Sequence, residues 1–393
     1  MERNSVKLAA MLLAFSVGVA IVSVFYFRSK SELVEILPPP PVEFPADNKG
    51  DKALEMVFVI DTTGSMGGLL EGAKQKTWSI INEVMQKSSQ PRVKVGLVAY
   101  RDHGDAYVTK ITPLTEDLDK VYMDLMDYNA AGGGDNPEAV GSALSEAVKN
   151  AGWSKSRDGL AQIVFLVGDA PPTKSGNEPD VMAITNEAAL KNMIVNTIQC
   201  GNMNETREVW QRIAQKGQGK YFAIAQDGGV EDVNTPYDER ISELGRQIGS
   251  TYLAYGAADR REALKETLGT TDSRMATNTT VSTKADRALN KAMNKEAYNG
   301  DLLQDIENGK TDLSRVKEQE LPADLKAIPT ERRAGEVEKR ISERKRIRQE
   351  ILDLSKQRDA YLKAERRKSG KQNGFDTAVG NALSEQLSGK GIN

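Results

Sequence analysis

With a single cysteine, Cys200, the 393-residue chain has no internal disulfide framework to staple a small fold. A single histidine, His103, argues against histidine-ligated zinc and against Ser-His-Asp chemistry. Aromatic residues are scarce at 6% while charged residues reach 28%, so part of the chain must be solvated helix or linker rather than core. The formal net charge of −3 removes any global basic signal for nucleic acid. There is no G-x-x-x-x-G-K-[ST] loop, no H-E-x-x-H helix and no evident nucleophile–base pair, so the expectation is a protein that is not an enzyme. The length suggests one sizeable domain with extensions.

Long apolar runs are absent but for one. Residues 8–27, LAAMLLAFSVGVAIVSVFYF, carry no charge and lie between Lys7 and Arg28. As a helix they cover roughly 30 Å, the thickness of a hydrocarbon core. A cleaved signal peptide has a shorter apolar stretch and a small-residue cleavage site. This run ends instead in Phe25-Tyr26-Phe27. The expected order is therefore a short tail (1–7), a transmembrane signal-anchor helix (8–27) and a Pro-rich linker (28–52). In the linker, Pro38–Pro41 and Pro45 suit a polyproline II spacer. Arg3 and Lys7 before the span balance Arg28 and Lys30 after it, so charge alone does not orient it. The very short leading tail favours a bulk that is extracytoplasmic, on the periplasmic face of an inner membrane.

From 53 to 256, apolar strand-like runs alternate with helical patterns. MVFVI (56–60), VKVGLVAY (93–100), VTKITPL (108–114), IVFLVG (163–168), IVNTIQC (194–200) and YFAIA (221–225) read as strands. Pro113 removes a donor and places the third at an edge. Helices are expected near 69–87, 117–127, 137–150, 180–191, 205–216 and 238–254. Continuous apolar strands separated by helices imply an α/β fold: a doubly wound, mostly parallel sheet covered on both faces. Such sheets bind ligands beyond the carboxyl ends of their strands.

The first strand runs into Asp61-Thr62-Thr63-Gly64-Ser65. Asp61, Thr63 and Ser65, at i, i+2 and i+4, would aim three oxygens one way, a hard donor set suited to Mg²⁺ or Mn²⁺ rather than zinc. Alternatively, Thr63 or Ser65 would cap the following helix. Two further stretches offer oxygens: GGGDNPE (132–138), with Asp135, Asn136 and Glu138, and IVFLVGDAPP (163–172), a strand that ends at Asp169.

These three stretches resemble the von Willebrand factor type A domain and its metal-ion-dependent adhesion site, here in a membrane-anchored bacterial arrangement. Its D-x-[ST]-x-S motif matches Asp61, Thr63 and Ser65, and its aspartate after the fourth strand matches Asp169. Many members place a threonine near the position of Asn136. However, Asp135-Asn136-Pro137-Glu138 is similar to the D-x-P-E loop of integrin β subunits. By that resemblance Glu138 is the third-loop ligand and Asp135 serves a neighbouring Ca²⁺ site, with Asn136 as the alternative ligand. The resemblance implies Mg²⁺ (or Mn²⁺) with one open position, completed by an Asp or Glu carboxylate of a partner protein. Arg101, Asp102, His103 and Asp105 in RDHGD would rim that face, either touching the partner or forming only a polar hairpin loop. Cys200 reads as a small core hydrophobe.

Beyond 256 the chain turns polar. Helices are expected near 259–268 and 284–299, with 270–283 (TTDSRMATNTTVST) as a loop. Residues 331–393 should hold a charged long helix and a short amphipathic one. Ile347, Ile351, Leu354, Tyr361 and Leu362 form a narrow stripe interrupted by Arg358, which suits either a coiled coil or a helix packed on the domain. The basic run RISERKRIRQ would be a solvated face or a contact for acidic polymer or lipid headgroups. The leading function is a membrane-tethered, metal-dependent protein-binding module of undetermined oligomeric state. The alternatives are an envelope scaffold acting through the tail with a vestigial metal site, and an adaptor to an ATPase.

Overall fold

Each of the nine residues of Ala53–Asp61 (β1) is buried. A strand with no wet face must lie inside a sheet covered on both sides. A computed structural model describes residues 52–392 apart from 86–90, 135–136, 175, 225–233, 295, 299 and 369–373. In it β2 (Arg92–Tyr100), β3 (Thr109–Thr115), β4 (Leu160–Gly168), β5 (Ile194–Cys200) and β6 (Gln218–Ile224) join β1 in the order β3-β2-β1-β4-β5-β6. All neighbours pair parallel except β3, which runs antiparallel to β2 at the edge and carries Pro113. The expected span at 8–27 and the linker to 51 lie outside the described residues. Among the described residues, no helix is long and apolar enough to cross a membrane.

Side chains alternate between the two faces of β1. Leu54, Met56, Phe58 and Ile60 enter one core, while Val57 and Val59 enter the other. Phe58 stacks on Phe165 of β4, with ring centroids 5.0 Å apart. The connecting helices are α1 (Leu70–Met85), α2 (Leu118–Met126), α3 (Val140–Asn150), α4 (Val181–Leu190), α5 (Asn204–Lys216) and α6 (Asp238–Ser250). Residues of α1, α2 and α6 fill the first core and those of α3, α4 and α5 the second. The chain steps from β1 to β2 and β3 on one side, then crosses to β4 on the other. The switch in strand order therefore falls between β1 and β4, and a crevice opens beyond their carboxyl ends.

The first core does not stop at 256. Helices α7 (Ala258–Asn278), α8 (Val281–Met293), α9 (Leu302–Glu307), α10 (Ala323–Lys326), α11 (Thr330–Lys368) and α12 (Gly374–Ser388) follow. Met275, Ala285, Leu289, Ile347, Ile351, Val379, Leu383 and Leu387 pack into that same core. The expected loop at 270–283 is helix as far as Asn278, with only Thr279 and Thr280 outside helical structure. Within this helix Thr267 and Thr271 return their hydroxyls to the carbonyls four residues back. Arg358, which seemed to interrupt the stripe of α11, is buried. It donates to Asp238 at 2.5 Å, Asp286 at 2.8 Å and Ser282 Oγ at 2.9 Å. The basic run is largely neutralised within the chain: Arg340 pairs with Asp324, Arg344 with Asp301, Arg346 with Glu350 and Arg348 with Glu307.

The last helix is held by polar as well as apolar contacts. Buried Asn196 on β5 and Gln386 on α12 exchange amide hydrogen bonds of 3.1 and 2.8 Å. Asn196 Oδ1 also accepts the Lys220 amide at 2.8 Å. Truncating Gln386 leaves a buried amide half-satisfied, which costs about 1–3 kcal/mol. Gln386→Ala is expected to lose that much in urea unfolding, whereas exposed Gln357→Ala should stay within about 0.5 kcal/mol.

Candidate metal centre

Strand β1 delivers Asp61 to the crevice, and β4 ends one residue before Asp169. After Asp61 the chain does not enter α1 directly. Thr63 precedes a 3₁₀ turn, Gly64–Gly68, but its side chain makes no capping bond there. It turns back to Asp61, whose Oδ1 accepts from the Thr63 amide at 2.9 Å and from Thr63 Oγ1 at 2.7 Å. The Thr63 and Ser65 hydroxyls lie 3.0 Å apart, and Ser65 Oγ donates to Asp169 Oδ1 at 3.1 Å. One hydrogen-bonded chain thus links Asp61, Thr63, Ser65 and Asp169, its Ser65–Asp169 bond bridging 104 residues of sequence.

Glu138 closes the group from a third side. Its amide donates to Pro171 O at 3.0 Å and its carbonyl accepts the Thr173 amide at 2.8 Å, which stitches it to the loop after β4. Gly133 backs it: a Cβ there would lie 3.0 Å from Thr63 Cβ and 3.4 Å from Glu138 Oε1. Asp135 and Asn136, the other candidates in that loop, lie outside the described residues. Glycine at 168 makes room beneath the site, because a Cβ would overlap the buried Tyr100 hydroxyl and sit 3.2 Å from Asp61 Oδ2. Sequence reasoning missed Tyr100 and Gly168; a glycine as the last residue of an otherwise apolar strand was the available signal.

The electrostatics are those of carboxylates crowded together in a buried site. Burial, opposed by the Thr63 hydrogen bonds and reinforced by Asp169, pushes Asp61 up to about 7. Burial, then the charges of Asp61, Asp102, Asp169 and Asp105, pushes Glu138 up to about 8. Burial also raises Asp169. Among the described residues, Asp61 Oδ2 and Glu138 Oε2 are buried and find no hydrogen-bond partner. Among the described residues, no three carboxylate, imidazole or thiol side chains form a metal-binding group by themselves. The cluster is mixed, carboxylates interleaved with hydroxyls. Unsatisfied carboxylate oxygens beside neutral hydroxyls fit a hard divalent cation, and the lack of sulfur or imidazole disfavours zinc.

The RDHGD residues serve largely to bind loops together. Arg101 donates to Thr62 O at 3.1 Å and Asn129 O at 2.7 Å, and its guanidinium lies 4.6 Å from the Tyr107 ring centre. Asp102 Oδ1 accepts the His103 amide at 2.7 Å. His103 Nε2 lies 2.7 Å from Glu178 Oε2, and the buried Glu178 side chain accepts from Ser142 N and Oγ. Glu178 had no sequence signal. Cys200 is buried in the first core, as its composition suggested. Cys200 on β5 and His103 after β2 stand on strands three positions apart, too far to form a dyad.

Residues 55–236 match the model of the von Willebrand factor A domain. Mouse von Willebrand factor A domain-containing protein 7 is 35% identical over 199 residues, 51% of this chain and 21% of that protein. The human protein of that name is 28% identical over 204 residues, again 51% of this chain and 21% of its own length. The chain thus spans about a fifth of the length of these curated relatives. Among solved structures, the VWA domain of SpRpn10 is similar over 44% of this chain and 89% of its own, at 15% identity and a TM-score of 0.34. The family match covers the sheet and all three stretches that build the oxygen cluster, and residues 55–236 of this chain are a von Willebrand factor A domain.

Proposed function

We propose that the chain is a membrane-tethered, divalent-metal-dependent protein-binding module. The observation that carries this reading is the linked set Asp61, Thr63, Ser65 and Asp169, with Glu138 beside it and two buried carboxylate oxygens that lack partners among the described residues. Asp61 and Asp169 would be the charged anchors, Thr63 and Ser65 the neutral ligands, and Glu138 the third-loop ligand. A bound Mg²⁺ or Mn²⁺ would relieve the repulsion among these groups and supply a positive point for a partner's Asp or Glu carboxylate. The chain's own part is to keep the oxygens converged: Thr63 holds Asp61, and Ser65 holds Asp169. The tether would be the apolar run at 8–27, which fits a signal anchor with the bulk on the extracytoplasmic side.

Titration of Mg²⁺ and Mn²⁺ into the full chain tests the first part. Saturating metal at about 100 times Kd should stabilise the fold by about 2.7 kcal/mol. Asp61→Ala and Asp169→Ala should fold yet give neither calorimetric heat nor a shift in Tm. A wild-type chain that shows no heat and no shift with either ion would refute the metal reading.

A further inference from the structure

Asp105 stands outside the oxygen cluster, yet the backbone that completes the cluster is fixed to it. Its Oδ2 accepts two amides: Gly133 N at 2.9 Å from the third loop and Asp102 N at 3.1 Å from its own. Gly132 and Gly133 both lie in the left-handed region, at φ 73° and 71°. Two successive glycines there have no side chains to hold them and many other conformations open to them. Their position must come from outside. Gly132 O accepts the Gly64 amide at 3.0 Å and Ala131 N donates to Thr62 O at 3.0 Å, so the loop also touches the first stretch of the site. Asp105 supplies the anchor on the opposite side. The segment it anchors is the one wedged between Thr63 and Glu138.

We propose that Asp105 is a positioning residue of the cation site. By accepting the Gly133 amide it fixes the Gly132–Gly133 backbone against Thr63 and Glu138, and so sets how tightly the site holds a divalent cation. This rests on the cluster being a cation site. Asp105 is assigned here as a support rather than a ligand: its Oδ2 is turned toward the loop and already accepts two amides. Its charge also adds to the field at Glu138, so an effect of charge must be separated from an effect of position. Asparagine makes that separation: its amide oxygen accepts the same two N–H groups but carries no charge.

The test is Mg²⁺ titration of the full chain by calorimetry, paired with melting and amide exchange of the metal-free protein. Groups that orient ligands are typically worth about 10–100-fold in metal affinity. Asp105→Ala should therefore weaken Mg²⁺ at least tenfold and speed exchange at the Gly133 amide, whereas Asp105→Asn should stay within about threefold of wild type. Gly132→Ala keeps Asp105 but places a methyl group against its carboxylate, and should show the same loss. It is the second arm should Asp105→Ala fail to fold. Wild-type affinity in Asp105→Ala or Gly132→Ala would overturn the inference, as would a loss in Asp105→Asn equal to that in Asp105→Ala. Absence of Mg²⁺ heat in wild type would overturn the cation reading and this inference together, an outcome distinct from the others.

Discussion

Arg344→Ala is expected to destabilise the chain by about 3–5 kcal/mol, the usual consequence of leaving one member of a buried ion pair behind. Arg344 and Asp301 form a salt bridge with both side chains 0% exposed. Arg344 Nε donates to Thr251 Oγ1 at 2.8 Å and Nη2 to Thr251 O at 2.9 Å, at the end of α6. Asp301 Oδ1 accepts the Leu253 amide at 2.9 Å and caps α9. One arginine of α11 therefore ties together the end of α6, the start of α9 and the segment between them. Truncation leaves the buried Asp301 carboxylate without its ion-pair partner and leaves Thr251 O without its donor. Arg346 belongs to the same basic run but is 64% exposed and pairs with Glu350 one turn away. Arg346→Ala should change stability by no more than about 0.5 kcal/mol. Urea unfolding of the two variants side by side reads the contrast. A loss under about 1 kcal/mol for Arg344→Ala would mean that water reaches this pair and that the tail is less tightly joined than its contacts imply.

That contrast shows where sequence reading reaches its limit. The sheet was legible because its strands are unbroken apolar runs, and MVFVI or IVFLVG can lie only inside a covered parallel sheet. Pro113 marked the edge strand, and the oxygen-bearing residues after two strand ends marked the site. The tail was less legible because its partners are distant in sequence. Nothing local separates Arg344, which is buried, from Arg346, which is exposed; only Asp301 and Thr251 make the difference. Arg358 looked like a defect in an apolar stripe because the carboxylates of Asp238 and Asp286 that receive it lie 120 and 72 residues away. TTDSRMATN looked like a loop because threonine disfavours isolated helices, a preference that tertiary contacts override. Met275 and Arg287 supply such contacts, the first in the core and the second donating to Asp272 at 2.8 Å. Asp105 could be placed near the site from RDHGD, but its bond to Gly133 could not, since both loops are irregular and no periodicity connects them.

In chelator-treated protein at pH 8, Asp61→Asn is expected to raise stability on the order of 2–4 kcal/mol while abolishing stabilisation by Mg²⁺. Burial raises Asp61 from its ordinary value near 3.8 to about 7, so the folded metal-free state prefers the protonated form. The sign follows from linkage: a carboxyl that binds its proton more tightly when folded weakens the fold wherever it is ionised. Metal-free wild type should therefore gain stability as pH falls from about 8 toward about 4, with Glu138, raised to about 8, acting in the same direction. Asparagine removes the charge and keeps the geometry, because its amide oxygen can still accept from the Thr63 amide and Thr63 Oγ1. It also cannot anchor a cation as a carboxylate does. The two proteins should exchange rank: the variant is the more stable in chelator and gains nothing from Mg²⁺, whereas wild type starts lower and climbs. Melting at pH 8 and pH 5.5, with and without Mg²⁺, gives all four comparisons. A variant less stable than wild type in chelator would show that the Asp61 charge is already compensated within the chain. The repulsion on which the proposed cation binding rests would then be absent.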